Sequence, residues 1–358
     1  MTQAGELGTR EVLAATLAAL RSSHAYHNYE LARERVFDMK DRASRVGGTA
    51  VPSKYWTFEL GNFDYMIDAS PLVISKLRHH CFHLTGIRAY DTHRSAKPDH
   101  LESFHAKVRM LYDLGGRELF VPESPLLGGF GFEVDGGMAN VDTLKYLEVM
   151  LALDRAGVLE RLRAADRPIV CEIGSGWGGF AYTFKRLFPS SCVVLVDLPE
   201  LFLFSATYLM TAFPSARVAF WGEAGTREML QGVDPPDFVF APHSEIDEVK
   251  PGRLDATINM VSFQEMRGDQ VRAYVNWAAD RRSGCLYSLN RDRSPYNDEL
   301  VSVREAMQER FDLREIPMLP WSYSKFVHPR KIEGKTRAKV ADEDGLDYRH
   351  VVGERRVD

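Results

Sequence analysis

The residues best suited to chemistry lie near the middle of the chain, where an apolar run passes directly into glycines. Residues 169–173 read IVCEI and residues 174–179 read GSGWGG, followed by a stretch of helix-favouring composition. Glycines let a backbone turn sharply and approach a ligand closely, and the first turn of a following helix offers free N–H groups and the positive end of a dipole. We predict that this glycine segment (residues 174–179) binds a cofactor, a plain tight turn being the alternative.

The glycine spacing alone fits two classes of cofactor. Gly174, Gly176 and Gly179 satisfy the G-x-G-x-x-G pattern of dinucleotide-binding proteins. The same segment also gives acidic-x-G-x-G-x-G, which starts at Glu172 and ends at Gly178. A carboxylate at Glu172 suits a cationic ligand but would repel a pyrophosphate. The flanking acid therefore favours a positively charged cofactor over a dinucleotide.

Two neighbouring motifs carry a family resemblance. EIGSGWGG at residues 172–179, followed by VDLP at 196–199, resembles the first and second motifs of class I S-adenosylmethionine (SAM) methyltransferases. In such enzymes the acid that ends the second strand accepts hydrogen bonds from the ribose of SAM, which implies this role for Asp197; a helix N-cap before Pro199 is the alternative. The cofactor residues expected from the two motifs are Glu172, Gly174, Ser175, Gly176, Gly178, Asp197 and Leu198.

A third segment, residues 254–266, ends in polar residues where a buried strand would reach the edge at which open α/β sheets bind ligands. Its NMVSFQEM run, with YSLNR later and PSKYW and LRHHCFHLTG earlier, resembles the bacterial sugar O-methyltransferases over most of residues 50–295. Plant small-molecule O-methyltransferases have a His-Asp pair soon after this strand, with the histidine as base. This chain has Gln264 and Glu265 there instead.

Methyl transfer to a hydroxyl needs alignment of the reacting atoms and a base. Glu265 is the predicted base if burial raises its pKa, with Gln264 beside it. Of the histidines in the helical half, His93, His100 and His105, an exposed, non-catalytic histidine is the more ordinary interpretation of each, and His105 is kept as a catalytic candidate. His243 and Ser244, after the third strand, and Asn259, within the fourth, are expected to contact the cofactor.

Substrate-binding candidates follow the fifth predicted strand and begin a helix. Asn290 and Arg291 stand at the expected ligand edge, and Tyr146 lies in a helix that follows a glycine-rich loop at residues 123–140, where Asn140 is a possible cap. His79 and His83 share a helix face, but no second ligand pair completes a tetrahedral zinc site, so no metal is expected. A hard divalent ion held by Glu265, Asp292 and Asp298 stays open.

The elements that must position these residues fall into two halves. Short apolar runs predict parallel strands at 168–172, 192–197, 238–241, 256–261 and 284–289, with a small strand at 217–221 and an edge hairpin at 316–327. Helices are predicted at 10–20, 26–45, 71–84, 101–114 and 141–164. The predicted class is α/β: a helical domain at 1–165, a Rossmann-like SAM-binding sheet at 166–330, and a charged tail or arm at 331–358.

The amino-acid composition limits the classes of molecule that the protein is expected to bind. The chain has 358 residues with 45 Lys+Arg against 50 Asp+Glu, a net charge of −5, which disfavours RNA, DNA and other polyanions as partners. The absence of a long apolar run argues against a membrane span, and 4 scattered cysteines fit a reducing cytoplasm. The partner is then a small neutral or cationic metabolite. The resemblance to small-molecule O-methyltransferases also implies that the helical half builds the acceptor pocket and can mediate homodimerisation.

The leading hypothesis is a SAM-dependent O-methyltransferase that methylates a sugar or glycosylated small metabolite and releases S-adenosylhomocysteine. Within the same class, N- or O-methylation of a polyketide or peptide natural product stays open, because a fold does not name its acceptor. An NAD(P)-dependent oxidoreductase is the rival of another class, since the glycine pattern overlaps. A SAM-fold protein without catalytic activity is a third alternative, because Gln264 stands where related enzymes have a histidine.

Overall fold

A large mixed sheet forms the second half of the protein in the computed structural model, which describes residues 8–48, 51–94, 98–294, 297–300, 302–319, 321–326 and 347–356. Its eight strands follow a separate two-stranded hairpin in the chain. The strands are β1 Phe132–Val134, β2 Gly137–Ala139, β3 Ile169–Ile173, β4 Cys192–Asp197, β5 Val218–Phe220, β6 Phe238–Pro242, β7 Ala256–Met260, β8 Leu286–Asn290, β9 Phe311–Glu315 and β10 Arg349–Arg355.

The order across the large sheet is β5-β6-β4-β3-β7-β8-β10-β9. The strands from β5 to β8 pair in parallel, and β10 pairs antiparallel with both β8 and β9. All residues of β3, β4, β6, β7 and β8 are buried, as expected for parallel strands covered on both faces. The predicted α/β class with a Rossmann-like sheet is confirmed.

Helices cover both faces of this sheet and build the first part of the chain. They are α1 Thr9–Arg21, α2 His24–Ala43, α3 Lys54–Leu60, α4 Pro71–Ile74, α5 Leu77–His80, α6 Phe82–Thr85, α7 Ala89–Arg94, α8 Pro98–Leu111, α9 Val141–Arg155, α10 Val158–Arg163, α11 Gly179–Leu187, α12 Phe202–Ala212, α13 Thr226–Gln231, α14 Gly268–Asp280 and α15 Val303–Gln308. Asn140 caps α9, since its side chain accepts the N–H groups of Asp142 and Thr143.

The sheet separates two apolar clusters. One face, which includes Val170 and Val193, packs in a single cluster with residues of α2, α8, α9, α11 and α12. The other face, which includes Cys171 and Val194, packs against α14 and α15. The sequence predicted separate helical and sheet domains with a boundary near residue 165, but the helices before that boundary share a continuous core with the sheet.

Three predicted elements need correction. The loop predicted at 123–140 contains the hairpin β1–β2, whose turn at Asp135 and Gly136 has φ of 49° and 78° and is the tight Asp-Gly turn of such hairpins. The helix predicted at 71–84 is divided into α4, α5 and α6, and the helix predicted at 141–164 is interrupted at Gly157, which has φ of 72°.

The predictions for the end of the chain are wrong in part. No edge hairpin occupies the described part of residues 316–327; the edge strand is β9, and its partner β10 comes from the predicted tail. Residues 349–355 are a strand within the sheet because their short apolar run completes the core: Val351 and Val352 are buried between β8 and β9. Residues 327–346, in the predicted hairpin and tail, lie outside the described residues.

Among the helices that the structure describes, none is both long enough and apolar enough to cross a bilayer.

Candidate cofactor and active site

A cavity of about 680 Å³ opens at the carboxyl ends of β3, β4 and β7. The strand order reverses here, because β4 lies on one side of β3 and β7 on the other. Ligands of open α/β sheets bind in the crevice at such a switch point. Of the residues predicted from the sequence, those that line the cavity are Glu172, Gly174, Ser175, Gly176, Asp197, Leu198, His243, Glu265 and Tyr146.

The glycine segment connects β3 to α11 in a conformation that needs glycine. Gly174, Gly176 and Gly178 have φ of 74°, 54° and 83°, in the left-handed region. A Cβ atom on Gly174 would lie 2.1 Å from Oγ of Ser262, and one on Gly179 would lie 2.2 Å from the ring of Trp177. The segment therefore wraps closely around its neighbours while Gly174 and Gly176 face the cavity.

Asp197 ends β4 and holds the glycine segment by hydrogen bonds. Its carboxylate accepts the backbone N–H of Gly176 at 2.7 Å and that of Leu198 at 2.8 Å, and Oγ of Ser175 lies at 3.4 Å. Burial raises the pKa of Asp197 to about 7 despite these hydrogen bonds. The alternative role as a helix cap does not hold, because the N-cap of the turn at Pro199–Leu201 is Leu198.

Glu172 is a buried carboxylate at the wall of the cavity, with 1% of its surface exposed. Its Oε2 has no hydrogen-bond partner among the residues that the structure describes. Burial and, to a smaller extent, the nearby Asp197 raise the pKa of Glu172 well above its usual value, whereas the ammonium of Lys145 opposes the shift. A buried carboxylate oxygen without a hydrogen-bond partner is unfavourable, so a positively charged ligand group would stabilise the ionised form of Glu172.

Lys145 is a cavity residue that sequence reasoning missed. It lies in α9, its Nζ is 3.2 Å from Oδ1 of Asp142, and it lies 5.1 Å from the ring centre of Tyr146. The signal in the sequence was a lone lysine in a helix whose other residues are mostly buried and apolar. Only the packing of α9 against α11 in the folded chain brings this cation near Glu172.

Glu265 lies in the short turn Phe263–Glu265 that follows β7, and its carboxyl faces the cavity. Burial raises the pKa of Glu265 to about 8, and Lys145 acts in the opposite direction. Oγ of Ser53 donates to the carbonyl oxygen of Glu265 at 2.7 Å, so the start of α3 is fastened to this turn. A carboxyl group with such a pKa can exchange a proton near neutral pH.

The backbone between β7 and this turn is strained. Val261 has φ of 62°, a conformation that a β-branched residue rarely adopts, and it lines the cavity. Its N–H donates to the carbonyl oxygen of Leu289 at 2.7 Å, which holds the residue in place. Strain of this kind concentrates at functional sites.

Three predicted site residues lie beneath the cavity instead of in its wall. Nδ2 of Asn259 donates to the carbonyl oxygen of Ile173 at 2.8 Å, and Nδ2 of Asn290 donates to Oδ1 of Asn259 at 2.8 Å. Oε1 of Gln264 accepts the N–H of Arg291 at 2.9 Å. Asn259, Asn290 and Gln264 thus lie outside the lining of the cavity as described, and their amides join the ends of β3, β7 and β8.

Four further predicted residues also lie outside the lining of the cavity. Nε2 of His105 lies 3.0 Å from the carbonyl oxygen of Glu133 in the hairpin, which contradicts a place for His105 in the active site. Arg291 stacks on the ring of Tyr348 at 4.7 Å. The others are Gly178, which packs against Leu209 and Ser205, and Ser244, which neighbours His243.

Aromatic residues from both ends of the chain form the opposite side of the cavity. This aromatic wall consists of Tyr55, Trp56, Phe82, Tyr323 and Tyr348. Tyr323 and Tyr348 lie 5.0 Å apart between ring centres. Glu59, Asn62 and Arg88 also line the cavity.

The histidines of α5 and α6 are not arranged as a metal site. In the described part of the chain, no group of three or more His, Cys, Asp or Glu residues is placed to hold a metal ion. Cys81 is buried, and the hydroxyl of Tyr65 lies 2.7 Å from Nδ1 of His80 and 3.3 Å from Nε2 of His83. His83 is nevertheless part of the cavity wall.

Comparisons with known proteins give only distant likenesses. No family model and no curated protein matches the chain. Among solved structures, EvdMO1 is 14% identical with a TM-score of 0.35 and covers 70% of this chain and 47% of its own. WbdD is 14% identical with a TM-score of 0.37, covering 62% of this chain and 42% of its own.

The magnesium protoporphyrin IX methyltransferase of Synechocystis PCC 6803, solved with bound SAM, is 10% identical with a TM-score of 0.33 and covers 71% of this chain and 97% of its own. The present chain spans less than half the length of EvdMO1 and WbdD. At these scores the likenesses assign neither a family nor an activity to the chain.

Proposed function

We propose that the chain is a SAM-dependent methyltransferase that methylates a hydroxyl group of a sugar or glycosylated small metabolite. The observation that carries this proposal is the buried carboxyl group of Glu172 beside the glycine segment, whose Oε2 has no hydrogen-bond partner among the described residues. SAM bears a sulfonium and an ammonium group, so it would add positive charge beside this carboxylate, in addition to the ammonium of Lys145. A dinucleotide would instead bring a pyrophosphate towards Glu172 and Asp197.

The remaining residues around the glycine segment fit the other parts of SAM. Asp197 offers a carboxylate for ribose hydroxyls, and Lys145 offers an ammonium for the carboxylate of the methionine part. His243 borders the same cavity and is assigned to the adenine side. The cavity volume of about 680 Å³ falls within the usual range for small-molecule sites.

The sheet also distinguishes the two cofactor classes. The dinucleotide-binding fold is an open, mostly parallel sheet with strand order 3-2-1-4-5-6. Here the last strand of the chain, β10, runs antiparallel and lies between β8 and β9. This departure, together with Glu172, supports SAM over NAD(P).

When bound, SAM supplies a methyl group on a positively charged sulfur, which leaves as a neutral thioether. Glu265 in its carboxylate form would accept the proton of the acceptor hydroxyl. A pKa of about 8 keeps the carboxyl basic enough for this step. The aromatic wall excludes water from the reacting groups.

The charged residues that line the cavity indicate which classes of acceptor molecule fit it. Glu59 and Glu265 line the cavity together with the aromatic wall, and the described lining also includes the cations Arg88 and Lys145, the latter 5.7 Å from the ring centre of Tyr323. Aromatic faces and acids suit a ring-bearing neutral or cationic acceptor, and they disfavour a phosphorylated one. A sugar hydroxyl fits this description, as do hydroxyl and amino groups of polyketide or peptide metabolites.

Isothermal titration tests the cofactor directly. We expect S-adenosylhomocysteine to bind in the micromolar range and NADH not to bind under the same conditions. No binding of S-adenosylhomocysteine or SAM at millimolar concentration would remove the proposal, and binding of NADH alone would favour the oxidoreductase.

A second measurement identifies the acceptor class. Radiolabelled SAM is incubated with neutral glycosides, amino glycosides and sugar phosphates, together with hydroxylated polyketides and peptides. Label transferred to a glycoside hydroxyl supports the full proposal. Transfer only to polyketides or peptides retains the cofactor and rejects the sugar acceptor, and SAM binding without any transfer favours a non-catalytic protein.

A further inference from the structure

A buried guanidinium links the helical part of the chain to the glycine segment. Arg78 lies in α5 with 1% of its surface exposed. Its Nε donates to Oε1 of Glu123 at 2.6 Å and its Nη2 to Oε2 at 3.2 Å. Its guanidinium carbon lies 3.6 Å from the ring centre of Trp177, within the glycine segment.

Asp142 extends this link to the cavity. Nη2 of Arg78 lies 3.6 Å from Oδ2 of Asp142, and Nε1 of Trp177 donates to the same oxygen at 3.2 Å. Nζ of Lys145 lies 3.2 Å from the other oxygen, Oδ1. Negative and positive groups therefore alternate from Glu123 through Arg78 and Asp142 to Lys145, and we call these four residues the ionic chain.

Every member of the ionic chain is shielded from water. Arg78, Glu123 and Asp142 are 1%, 5% and 0% exposed, and the side chain of Lys145 is 12% exposed at the cavity. Buried ion pairs often stabilise a fold no better than apolar residues of the same size would. A contribution to fold stability therefore does not by itself explain why four charged residues are buried here. The positions that they impose on their neighbours do explain it.

The geometry constrains two groups of the proposed cofactor site at once. Stacking by Arg78 and the hydrogen bond to Asp142 fix the plane of Trp177, and Trp177 in turn packs so closely on Gly179 that no Cβ fits there. Asp142 also fixes the ammonium of Lys145 at the cavity wall. Removing Arg78 would leave Asp142 free to pull Lys145 away from the cavity, because a buried carboxylate requires a cation.

We propose that Arg78 is a positioning residue for the cofactor: through Asp142 it directs Lys145 at the amino-acid part of the ligand, and through Trp177 it shapes the glycine segment. The inference rests on the proposed function, because it takes the ligand to carry an amino-acid carboxylate. It makes the helical part of the chain a component of the cofactor site and not only of an acceptor pocket.

Two ligands separate positioning from general stability. S-adenosylhomocysteine carries the amino-acid group, whereas 5′-methylthioadenosine lacks it and retains the nucleoside. We expect Arg78→Met to weaken binding of S-adenosylhomocysteine about tenfold or more, and that of 5′-methylthioadenosine less than about twofold. Arg78→Lys is expected to restore little, because a lysine cannot stack on Trp177 and bridge two carboxylates at once.

Lys107→Met is the matched control. Lys107 is likewise 1% exposed and paired with a buried acid, Glu148 at 3.1 Å, but it does not touch the glycine segment. We expect this control to lower the melting temperature while both ligands keep their affinities. In the double variant Arg78→Met/Lys145→Met, the affinity should fall by less than the product of the two single losses, because the part that Arg78 exerts through Lys145 is already lost.

Failure of the proposed function and failure of the positioning role of Arg78 give different experimental results. Wild-type protein that binds neither ligand rejects the proposed function. Wild-type binding with unchanged selectivity between the two ligands in Arg78→Met, or an equal loss in Lys107→Met, overturns the positioning role. If Arg78→Met does not fold, Asp142→Asn tests the same link, because it keeps the size and one of the two hydrogen-bond acceptors but removes the charge that holds Lys145 and faces Arg78.

Discussion

At the scale of single residues, three carboxyl groups line the cavity: Glu172 and Asp197 are buried, and Glu265 is partly exposed. Burial raises the pKa of Asp197 to about 7 and that of Glu265 to about 8, and it raises the pKa of Glu172 well above its usual value. Three carboxylates around one cavity repel each other when they are ionised. A ligand with positive charge relieves this repulsion, which is the chemical basis for proposing SAM.

Asp197→Ala is the first test at this scale. The change removes a carboxylate that accepts the N–H groups of Gly176 and Leu198 and that is assigned to the ribose. We expect the affinity for SAM to fall by about 1–3 kcal/mol, the range for hydrogen bonds to charged groups. Isothermal titration measures this loss.

Asp255→Ala serves as its control. Asp255 accepts the N–H of Ile169 at 2.7 Å, at the opposite end of β3 from the cavity. This variant should lose stability without losing affinity for SAM. An unchanged affinity in Asp197→Ala, or an equal change in both variants, would contradict the assignment of Asp197.

Glu265→Gln tests the base. The glutamine keeps the shape of the side chain but cannot accept the proton, so turnover should fall about 10²–10⁴-fold while the affinity for SAM changes little. In the wild type the rate should rise with pH up to about 8, because the ionised form of Glu265 is the base. Initial rates with a methylated acceptor, measured from pH 6 to 9, give both quantities.

The matched variant is Glu59→Gln. Glu59 is a second acid in the cavity wall, and it is not assigned to proton transfer. The variant should retain a rate that rises with pH, with the rise shifted to slightly lower pH because Glu59 raises the pKa of Glu265. Equal profiles for wild type and Glu265→Gln would reject Glu265 as the base.

At the scale of elements, the site depends on how β3, β4 and β7 present the segments that follow them. The glycine segment leaves β3 through residues with positive φ, and the turn after β7 approaches it so closely that Ser262 occupies the space a side chain at Gly174 would need. The amides of Asn259 and Asn290 join the same strand ends from below. The strand ends therefore act as one unit, and a change in one segment is felt in the next.

A comparison of Gly174→Ala with Gly176→Ala separates the cost of backbone strain from the cost of a steric collision with a neighbouring side chain. Both positions have positive φ, which costs an alanine about 1–2 kcal/mol. Only at Gly174 does the new Cβ also collide, 2.1 Å from Oγ of Ser262. We expect Gly176→Ala to lower the free energy of unfolding by about 1 kcal/mol and Gly174→Ala by clearly more, as measured by urea unfolding.

The double variant Gly174→Ala/Ser262→Gly provides the check, because it removes the colliding side chain and leaves the strain. Partial recovery of stability relative to Gly174→Ala is expected. Equal stability of the two single alanine variants would show that the segment relaxes around the collision.

β10 is the element whose loss should matter most. It pairs with β8 over Arg349–Gly353 and with β9 over Val351–Arg355, so it is the strand that joins β9 to the sheet. Its His350 also lies 2.7 Å from the hydroxyl of Tyr287. We expect a chain ending at residue 346 to aggregate, because the unpaired edge of β8 becomes exposed.

Size-exclusion chromatography and circular dichroism would detect this outcome. A shorter truncation that removes only residues 357–358 should leave both measurements unchanged. A monomeric 346-residue chain with the melting temperature of the full chain would contradict the structural role of β10.

At the scale of the whole molecule, one core unites the helical part and the sheet, and the cavity lies between them. Ser53 in the helical part is hydrogen-bonded to the turn of Glu265, and Arg78 is stacked on the glycine segment. Binding at the cavity should therefore stabilise the entire fold and not one half of it.

The stability of the ligand-free protein should depend on pH in a defined direction. Asp197 and Glu265 have folded pKa values above those of an unfolded chain, so they contribute stability that is complete below about pH 4 and is lost as the pH rises through about 7–8. The pKa of Glu172 is raised in the same direction. We expect the contribution of these groups to the free energy of unfolding to decrease from pH 6 to pH 9.

Urea unfolding of wild type and of Glu265→Gln at these pH values isolates the effect, since the glutamine does not titrate. The stability of the variant should fall less steeply than that of the wild type, and saturating SAM should flatten the wild-type curve. Parallel curves for both proteins would contradict the raised pKa of Glu265.

The sequence by itself determined the central strands, the glycine segment and the acids that follow β3, β4 and β7. These features are local: buried parallel strands need continuous apolar runs, and sharp turns need glycine. It also identified Glu172, Asp197 and Glu265, because residues at the carboxyl ends of parallel strands meet at one edge of the sheet.

Only the tertiary structure decided what surrounds those acids. Lys145, Arg78 and the aromatic wall come from segments far apart in the chain, and no local pattern marks residues that meet only when the helices pack on the sheet. The same reason explains His105 and β10: a histidine expected in the site lies at the hairpin, and a predicted tail completes the sheet. Long-range pairing and burial, which depend on the whole fold, set these positions.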